Sequence, residues 1–427
     1  MHILFLTDNF PPEVNAPASR TFEHCREWVR AGHRVTVITG APNFPNGKVF
    51  DGYRNLPWQT EMMDGIRLIR VWTYITANKG FKRRILDYQS FMLAATMAAP
   101  FVRGVDVVVG TSPQLFTACA AYLVGRLKRI PFVFELRDLW PESIRAVGAL
   151  SHARTLDALE KVELFLYRKA ARIVSVTQSF RQNLIGRGID GDKISVVTNG
   201  VDASRFRPQP RDAALEAQLG LQGKFVAGYV GTHGMAHSLE TLLEAARRLR
   251  DDPRGRDIRL LLLGDGVSKA PLVAQAKAMA LDNVLFLDTV PKDQVVRYWS
   301  LLDVSVIHLK KTELFTTVIP SKLFECMGMG IPVLHGVAGE SAMIVEREDC
   351  GQTFEPENVD ALCRGLLALS ADGELRERYR TNGLAAAARY DRTQLALTML
   401  GELEQVVAGA TQGGRAGEGM AATSRVQ

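Results

Sequence analysis

The sequence has few cysteines and no long uninterrupted apolar run among its 427 residues. The five cysteines include no Cys-x-x-Cys pair, and an odd number argues against a disulfide framework, so we expect buried, reduced thiols. The first residues, 1–7, lack the basic region of a signal peptide and have the pattern of a strand. Together these absences predict a cytoplasmic protein.

An excess of one charge is also nearly absent, because Lys and Arg outnumber Asp and Glu by only six. Such a small, dispersed excess argues against nucleic acid as a partner and fits anionic ligands or an anionic membrane surface. Hydrophobic residues make up 47% and charged residues 23%, which excludes disordered, collagen-like and coiled-coil proteins. The length suits two domains of about 200 residues each.

Two common nucleotide-binding motifs are missing. No Gly-x-Gly-x-x-Gly sequence follows the first strand of either predicted domain, and no Walker A sequence occurs. A nicotinamide dinucleotide site and a P-loop NTPase are therefore disfavoured. An Asp-x-Asp sequence at 190–192 has the form in which some transferases hold Mn²⁺ or Mg²⁺, but turn preference explains it. We expect no metal and no cofactor.

Short apolar runs rich in β-branched residues alternate with helical stretches, and the series starts again in the second half of the chain. This alternation predicts parallel sheets with helices on both faces. The stretch 199–210 is rich in turn formers and is expected to link two doubly wound α/β domains, 1–200 and 201–391. The expected ligand site is the cleft across which these domains face one another. Residues 408–427, rich in Gly and Ala, are expected to form a disordered tail.

Glycine-rich turns follow the first two predicted strands of the second domain, as Gly231-Thr232-His233-Gly234 and Gly264-Asp265-Gly266. Such turns let backbone N–H groups approach a phosphate at a helix N-terminus. Tight packing between a strand and a helix is the alternative explanation for each glycine.

The most informative stretch is the predicted short helix that follows Ser321, a candidate N-cap residue. Lys322 falls in its first turn, where a cation is unfavourable unless an anion binds there. Glu325 lies one turn later on the same face. This pair suits a nucleoside diphosphate, with Lys322 on the phosphate and Glu325 on the ribose hydroxyls. A plain surface pair of opposite charges is the alternative.

These segments together resemble the retaining GT-B glycosyltransferases of the glycosyl transferases group 1 family, in the bacterial branch that builds O-antigen, capsule and exopolysaccharide. The matching segments are 10–13, 32–39, 137–143, 198–202, 322–325 and 339–342. The resemblance implies two Rossmann-like domains, the first acceptor-binding and completed by a C-terminal helix at 392–407, the second donor-binding. It also implies a nucleotide-sugar donor, expected to be a UDP-sugar, and a polyprenyl-diphosphate-linked saccharide acceptor.

The resemblance assigns donor-binding roles in the second domain. Glu325 would hold the ribose, whereas Thr317 stands where the family has its first glutamate. Thr232, His233 and His237 occupy the loop in which relatives carry an arginine and a lysine, so Lys322 is expected to carry more of the diphosphate charge. A helix opening at Gly339-Glu340-Ser341-Ala342 would bind phosphate or sugar hydroxyls through its amides.

In the first domain, Arg137 and Asp138 end a predicted strand at the cleft, where relatives place residues near the reacting sugar. Asp138 is the candidate contact to the acceptor or donor sugar, and helix capping is its alternative role. Glu13, Asn15 and Ala16 form the cleft loop after the first strand, in which relatives often have glycines.

Residues 79–103 combine a basic start, with Lys79, Lys82, Arg83 and Arg84, and an apolar stretch interrupted by Asp87, Gln89 and Pro100. This interrupted stretch is not suited to span a bilayer. Surface docking at the inner face of the cytoplasmic membrane and packing as an ordinary helix remain equal alternatives.

Two other functions use similar features. A non-hydrolysing UDP-sugar 2-epimerase also has two Rossmann-like domains, but it needs acid and base groups in the cleft. A non-catalytic nucleotide-sugar-binding scaffold would bind the nucleotide without any transfer.

Overall fold

Both series of apolar runs form mostly parallel sheets flanked by helices, which confirms the predicted doubly wound α/β class. The computed structural model describes residues 1–13, 15–44, 47–76, 81–139, 153–291 and 294–423. Contacts divide the chain into unit 1, residues 1–198 with the C-terminal residues from 393, and unit 2, residues 199–392.

The unit 1 sheet has the strand order β3-β4-β2-β1-β5-β6-β7-β8, and only β3 and β4 pair antiparallel. Its strands are β1 (His2–Leu6), β2 (Arg34–Thr39), β3 (Trp58–Met63), β4 (Ile66–Val71), β5 (Val107–Thr111), β6 (Phe132–Leu136), β7 (Arg172–Ser175) and β8 (Ile194–Val196). The central strands are buried on both faces, as continuous apolar runs in a parallel sheet require.

The unit 2 sheet is parallel throughout and has the order β11-β10-β9-β12-β13-β14. Its strands are β9 (Phe225–Val230), β10 (Ile258–Leu263), β11 (Val284–Leu287), β12 (Val304–His308), β13 (Val333–Gly336) and β14 (Gly351–Thr353). Successive strands are added on one side of β9 as far as β11, and β12 to β14 are then added on its other side, so the strand order reverses between β9 and β12. In such sheets, ligands bind beyond the carboxyl ends of the strands at this switch point.

The helices cover both faces of each sheet. In chain order they are α1 (Ala16–Arg30), α2 (Phe81–Ala98), α3 (Leu115–Lys128), α4 (Ala153–Lys169), α5 (Gln178–Gly186), α6 (Ala213–Gln218), α7 (Glu240–Asp251), α8 (Lys269–Ala278), α9 (Val295–Trp299), α10 (Lys322–Met329), α11 (Glu340–Glu348), α12 (Val359–Ala371), α13 (Gly373–Ala387) and α14 (Arg392–Thr423).

Helix α14 returns to unit 1 and contributes Met399 and Leu403 to its core. The indole N–H of Trp28 on α1 donates to the carbonyl of Ala396, at 2.8 Å. The prediction that this helix ends at 407 and is followed by a disordered tail is wrong for 408–423, because α14 continues to Thr423. The stretch contains as many glycines, which disfavour a helix, as alanines, which favour it, but it contains no proline to end the helix.

The predicted linker 199–210 is part of unit 2. Val201 and Phe206 are buried in the unit 2 core, and the backbone of Val201 pairs with that of Asp391. Turn-forming residues such as Asn199, Gly200 and Asp202 shape this segment, but its two apolar side chains anchor it.

All five cysteines are free, and Cys25, Cys326 and Cys350 are buried, whereas Cys119 and Cys363 are partly exposed. Among the described residues, no helix combines the length and the apolar character needed to cross a lipid bilayer.

Candidate functional site

The switch point of unit 2 brings together the loop after β9, the loop after β12 and the first turn of α10. The backbone N–H of Lys310, just after β12, donates to the carbonyl of Ala236 in the loop after β9, at 2.9 Å. This bond joins the two loops. The Lys322 side chain passes close to Gly231, so the predicted donor-site loop 231–237 and Lys322 lie together.

Lys322 is a partly buried cation that rests on an aromatic ring. Its ammonium nitrogen lies 3.8 Å from the centroid of the Tyr229 ring, a cation–π contact. Within the described parts of the chain, no hydrogen bond or ion pair of this ammonium occurs. Burial lowers the pKa of Lys322 to about 8, and the nearby charge of Glu325 opposes that shift. The charge of this ammonium is therefore available to an anionic ligand.

The glycines of the two turns serve close packing. Gly264 and Gly266 both have positive φ, and a Cβ on either would collide with the carbonyl of Gly231 or of His233. The backbone N–H of Gly231 donates to Leu263, that of Gly264 to Leu287 and that of Gly266 to the Asp265 side chain. These three amides thus have protein acceptors in this structure, and phosphate binding by the two turns stays a prediction.

Two histidines flank the same tyrosine. The ring centroids of His233 and His237 each lie 5.8 Å from that of Tyr229. His233 is completely buried, and neither of its ring nitrogens has a hydrogen-bond partner. Burial, followed by the charges of Lys269 and Lys322, lowers the pKa of His233 to about 4. Burial and then Lys322 lower the pKa of His237 to about 3.

The sequence interpretation overlooked the four-residue spacing of His233 and His237, which resembles a pair of zinc ligands on a helix. Here the segment forms a 3₁₀ turn at Met235–His237 instead of an α-helix. Within the described residues, no group of three His, Cys, Asp or Glu side chains is arranged to hold a metal ion.

Helix α10 begins differently from the prediction. Ser321 stands at the N-cap position, as predicted, but it has helical backbone angles and its side chain makes no capping hydrogen bond. A tight turn replaces the cap, because the N–H of Leu323 donates to the carbonyl of Pro320. The helix ends at Gly330 in the left-handed conformation. Glu325, partly buried, lies one turn after Lys322 on this helix.

The segment 339–342 starts α11, and Gly339 is required there. Its φ is +82°, and a Cβ would collide with the carbonyl of Thr316. Ser341 is fully buried, and its hydroxyl lies 2.7 Å from Nε2 of His335. Its side chain therefore hydrogen-bonds within the protein interior. Glu340 is also buried, while Ala342 is partly exposed. The hydroxyl of Thr317 donates to the carbonyl of Leu314, at 2.6 Å.

In unit 1, Arg137 and Asp138 follow β6 at the carboxyl edge of the sheet, and both are partly buried. Their backbone N–H groups donate to the hydroxyl of Ser112, which follows β5, at 2.8 and 3.2 Å. The guanidinium of Arg137 donates to the carbonyl of Pro17. The capping alternative for Asp138 concerns residues 140–152, which lie outside the described residues.

The loop after β1 has structural roles. Glu13 is buried, and its Oε1 accepts the N–H groups of Asn43 and Phe44, each at 2.8 Å. Asn15 is the N-cap of α1, because its side chain accepts from the N–H of Ala18. Ala16 is the first residue of that helix. The side chains of Glu13 and Asn15 therefore hydrogen-bond to the backbone and stabilise the fold.

A pair of carboxyl groups near the same edge was not identified as a candidate site from the sequence. Asp8 lies just beyond β1, and Asp87 lies on α2. Burial raises the pKa of Asp87 to about 7. Burial, followed by the charges of Asp87 and Glu13, raises the pKa of Asp8. An aspartate directly after a buried strand of a parallel sheet was the available signal.

Two family models match the chain. Residues 15–200 match the one described as a glycosyl transferase 4-like domain, and residues 212–385 match the one described as glycosyl transferases group 1. The first match covers most of unit 1 and ends two residues into unit 2, and the second falls within unit 2.

Named proteins are also similar to most of the chain. One is WcaI of Escherichia coli, named as a colanic acid biosynthesis glycosyl transferase, 27% identical over 86% of this chain and 91% of the relative. Another is a GDP-mannose-dependent alpha-mannosyltransferase of Mycobacterium tuberculosis, 23% identical over 79% of this chain and 80% of the relative. The structure of HepE from Anabaena with UDP-glucose superposes with a TM-score of 0.68 at 16% identity, covering 95% of this chain and all of that chain.

Proposed function

Since this chain belongs to the glycosyl transferases group 1 family of GT-B glycosyltransferases, we propose that it transfers a sugar from a UDP-sugar to a lipid-linked saccharide, with retention at the anomeric carbon. The product would be a bacterial surface polysaccharide, as in the colanic acid pathway for which the Escherichia coli relative is named. The observation that carries the donor assignment is the Lys322 ammonium resting on Tyr229 without a carboxylate partner among the described residues.

In this proposal, Lys322 binds the diphosphate and stabilises the negative charge that develops on it as the sugar departs. The first turn of α10 adds the positive end of its helix dipole. Glu325, one turn further along, accepts hydrogen bonds from the ribose hydroxyls. These roles require no metal ion, so activity should persist in excess EDTA.

Retention would follow from attack on the same face that the diphosphate leaves. The acceptor oxygen forms a bond to the anomeric carbon as the bond from that carbon to the phosphate oxygen breaks. The acceptor's proton passes to the departing phosphate, so the protein needs to align the substrates and neutralise charge. Asp138 at the edge of the unit 1 sheet is the proposed sugar contact.

We further propose that unit 1 docks on an anionic membrane, where a polyprenyl-linked acceptor would reside. The α2 residues Leu86, Leu93 and Met97 share one helix face and, with Phe101 in the following turn, are each more than half exposed. Exposed Arg83 lies one turn before this face. Apolar side chains beside cations are typical of helices that lie in a membrane interface. Lys79 and the Lys82 side chain lie outside the described part of the structure.

Calorimetric binding of UDP to the protein and to Glu325→Ala tests the donor assignment. We expect the variant to bind UDP about tenfold more weakly or worse, which corresponds to about 1.4 kcal/mol. Glu355→Ala, which removes an exposed carboxylate of the same unit, is the control. Equal affinities of Glu325→Ala and the unmodified protein would contradict the proposed ribose contact.

A transfer assay separates the alternatives. Incubation of UDP-sugars with polyprenyl-linked saccharides should give a glycosylated lipid. Interconversion of UDP-sugars without an acceptor would indicate the epimerase. UDP binding with neither sugar transfer nor slow hydrolysis of the donor would indicate the scaffold.

A further inference from the structure

The proposed diphosphate site contains more basic side chains than positively charged ones. Lys322 supplies the single ammonium on the Tyr229 ring, and two imidazoles, of His233 and His237, lie against the same ring. A sugar diphosphate carries two negative charges, so one ammonium neutralises only half of them. A second positive charge would have to come from an imidazole that the ligand can reach.

His237 is the accessible one. It is partly exposed, whereas His233 is completely buried behind it in the same loop. The backbone of His237 is fixed on both sides, because its N–H donates to the carbonyl of Gly234 and its own carbonyl accepts from Nδ1 of His308, at 2.8 Å. Its ring lies against the Tyr229 ring, on which the Lys322 ammonium also rests, in the absence of any ligand.

The tautomer of His308 follows from its two bonds. Its Nδ1 donates to His237, and its Nε2 accepts the backbone N–H of Glu357, at 2.9 Å. His308 is therefore neutral and fully occupied, and it serves as a support for the loop. A proton that enters the site would not be taken by this ring without loss of a hydrogen bond.

Burial is the largest influence on the His237 ring, and the charge of Lys322 on α10 is the next; both disfavour protonation while the site is empty. The hydrogen bond with His308 at the end of β12 acts in the opposite direction but is outweighed. The other neighbouring ring, His233, lies in the same loop as His237. Burial and Lys322 together hold the pKa of His237 at about 3, so its imidazole is neutral in the empty site.

A bound diphosphate would reverse this balance, because opposite charges at close range favour the protonated form of an imidazole. We propose that His237 is a second diphosphate-binding residue, and that it takes up a proton when the donor binds and forms an imidazolium beside Lys322. This inference rests on the proposed function, and it adds that nucleotide binding is coupled to proton uptake. The second positive charge of the site then appears only when an anion is present.

Calorimetry in two buffers measures this coupling. UDP is titrated into the protein at pH 6.5 in PIPES and in imidazole, which differ in heat of ionisation, and the difference in apparent enthalpy gives the protons exchanged. At this pH Lys322 is already protonated. The same measurement on His237→Gln removes the proton acceptor, and the protons that UDP itself exchanges cancel between the two proteins.

We expect the unmodified protein to take up about half a proton or more beyond His237→Gln, and His237→Gln to bind UDP about tenfold more weakly. His33→Gln in unit 1, where the ring pairs with Glu404, is the matched control and should behave as the unmodified protein. Equal proton exchange by the protein and His237→Gln would overturn the inference while leaving UDP binding intact. If only GDP binds, the same comparison is made with GDP. Binding of neither nucleotide would overturn the proposed function together with this inference.

Discussion

The side chain of Lys322 crosses the backbone of Gly231 so closely that a Cβ on this glycine would lie 2.7 Å from the ammonium nitrogen. The lysine is thus aligned by a glycine and by the Tyr229 ring, instead of by an acidic partner. An ammonium placed in this way keeps its charge available for a ligand. Several consequences of this relationship can be measured.

Replacement of Lys322 by Met should weaken UDP binding by at least tenfold, about 1.4 kcal/mol, because the diphosphate loses its main cation. The melting temperature should stay equal or rise, since a partly buried ammonium without a hydrogen-bonded partner is unfavourable in the empty protein. Lys311→Met is the control, because this exposed lysine of the same unit pairs with Glu355. A Lys322→Met protein with unchanged UDP affinity would contradict the assignment.

UDP affinity should depend on pH in a way that Lys322 explains. Burial lowers the pKa of this lysine from 10.5 to about 8, so the ammonium is lost as the pH rises through 8. Affinity should therefore fall above pH 8, approaching a tenfold loss per pH unit. The folded state also binds this proton less tightly than the unfolded state, so the contribution of Lys322 to stability rises between pH 8 and 10.5. Calorimetry from pH 7 to 9.5 checks the profile, and Lys322→Met should lack the break near pH 8.

The central strands could be predicted from the sequence because a strand buried on both faces must be apolar at nearly every position. Three strands, β3 (Trp58–Met63), β4 (Ile66–Val71) and β14 (Gly351–Thr353), were not predicted. β3 and β14 are edge strands, β3 alternates exposed and partly buried residues, and β14 has only three residues. β4 lies inside the sheet, but Arg67 and Arg70 interrupt its apolar run. Short, half-exposed strands resemble loops in composition.

Only those parts of the candidate site that depend on residues close together in the sequence could be predicted. Lys322 and Glu325 could be paired from their spacing on one helix. The contact of Lys322 with Tyr229 joins residues far apart in the sequence, so only the packed sheet reveals it. The glycines at 231 and 264 illustrate the same limit, because their packing against one another depends on neighbouring strands.

Gly264→Ala tests that packing. The residue has a φ of +149°, and a Cβ would collide with the carbonyl of Gly231, so the free energy of unfolding should fall by about 1–3 kcal/mol. UDP binding should weaken as well, because Gly231 supports Lys322. Gly186→Ala, at the end of α5 with no atom within 4 Å of its added Cβ, should leave stability unchanged or slightly raised. Urea unfolding measures both, and equal stability of the two variants would argue against the predicted collision.

The exposed apolar face of α2 leads to a prediction about membranes. Replacement of Leu93 and Met97 by Ser removes two apolar side chains that are 58% and 67% exposed. The loss should reduce co-sedimentation with vesicles that contain phosphatidylglycerol, since burial of these side chains in the interface contributes to binding. The melting temperature should not fall, because neither side chain belongs to the core.

A matched control and a charge test complete this experiment. Val267→Ser removes an equally exposed apolar side chain, 77% exposed, from unit 2 and should leave co-sedimentation unchanged. Lys82→Glu/Arg83→Glu/Arg84→Glu should weaken binding further, and raised salt should weaken the binding of the unmodified protein. Unchanged co-sedimentation of both unit 1 variants would show that this face does not contact the membrane. The acceptor would then have to reach the enzyme without docking through α2.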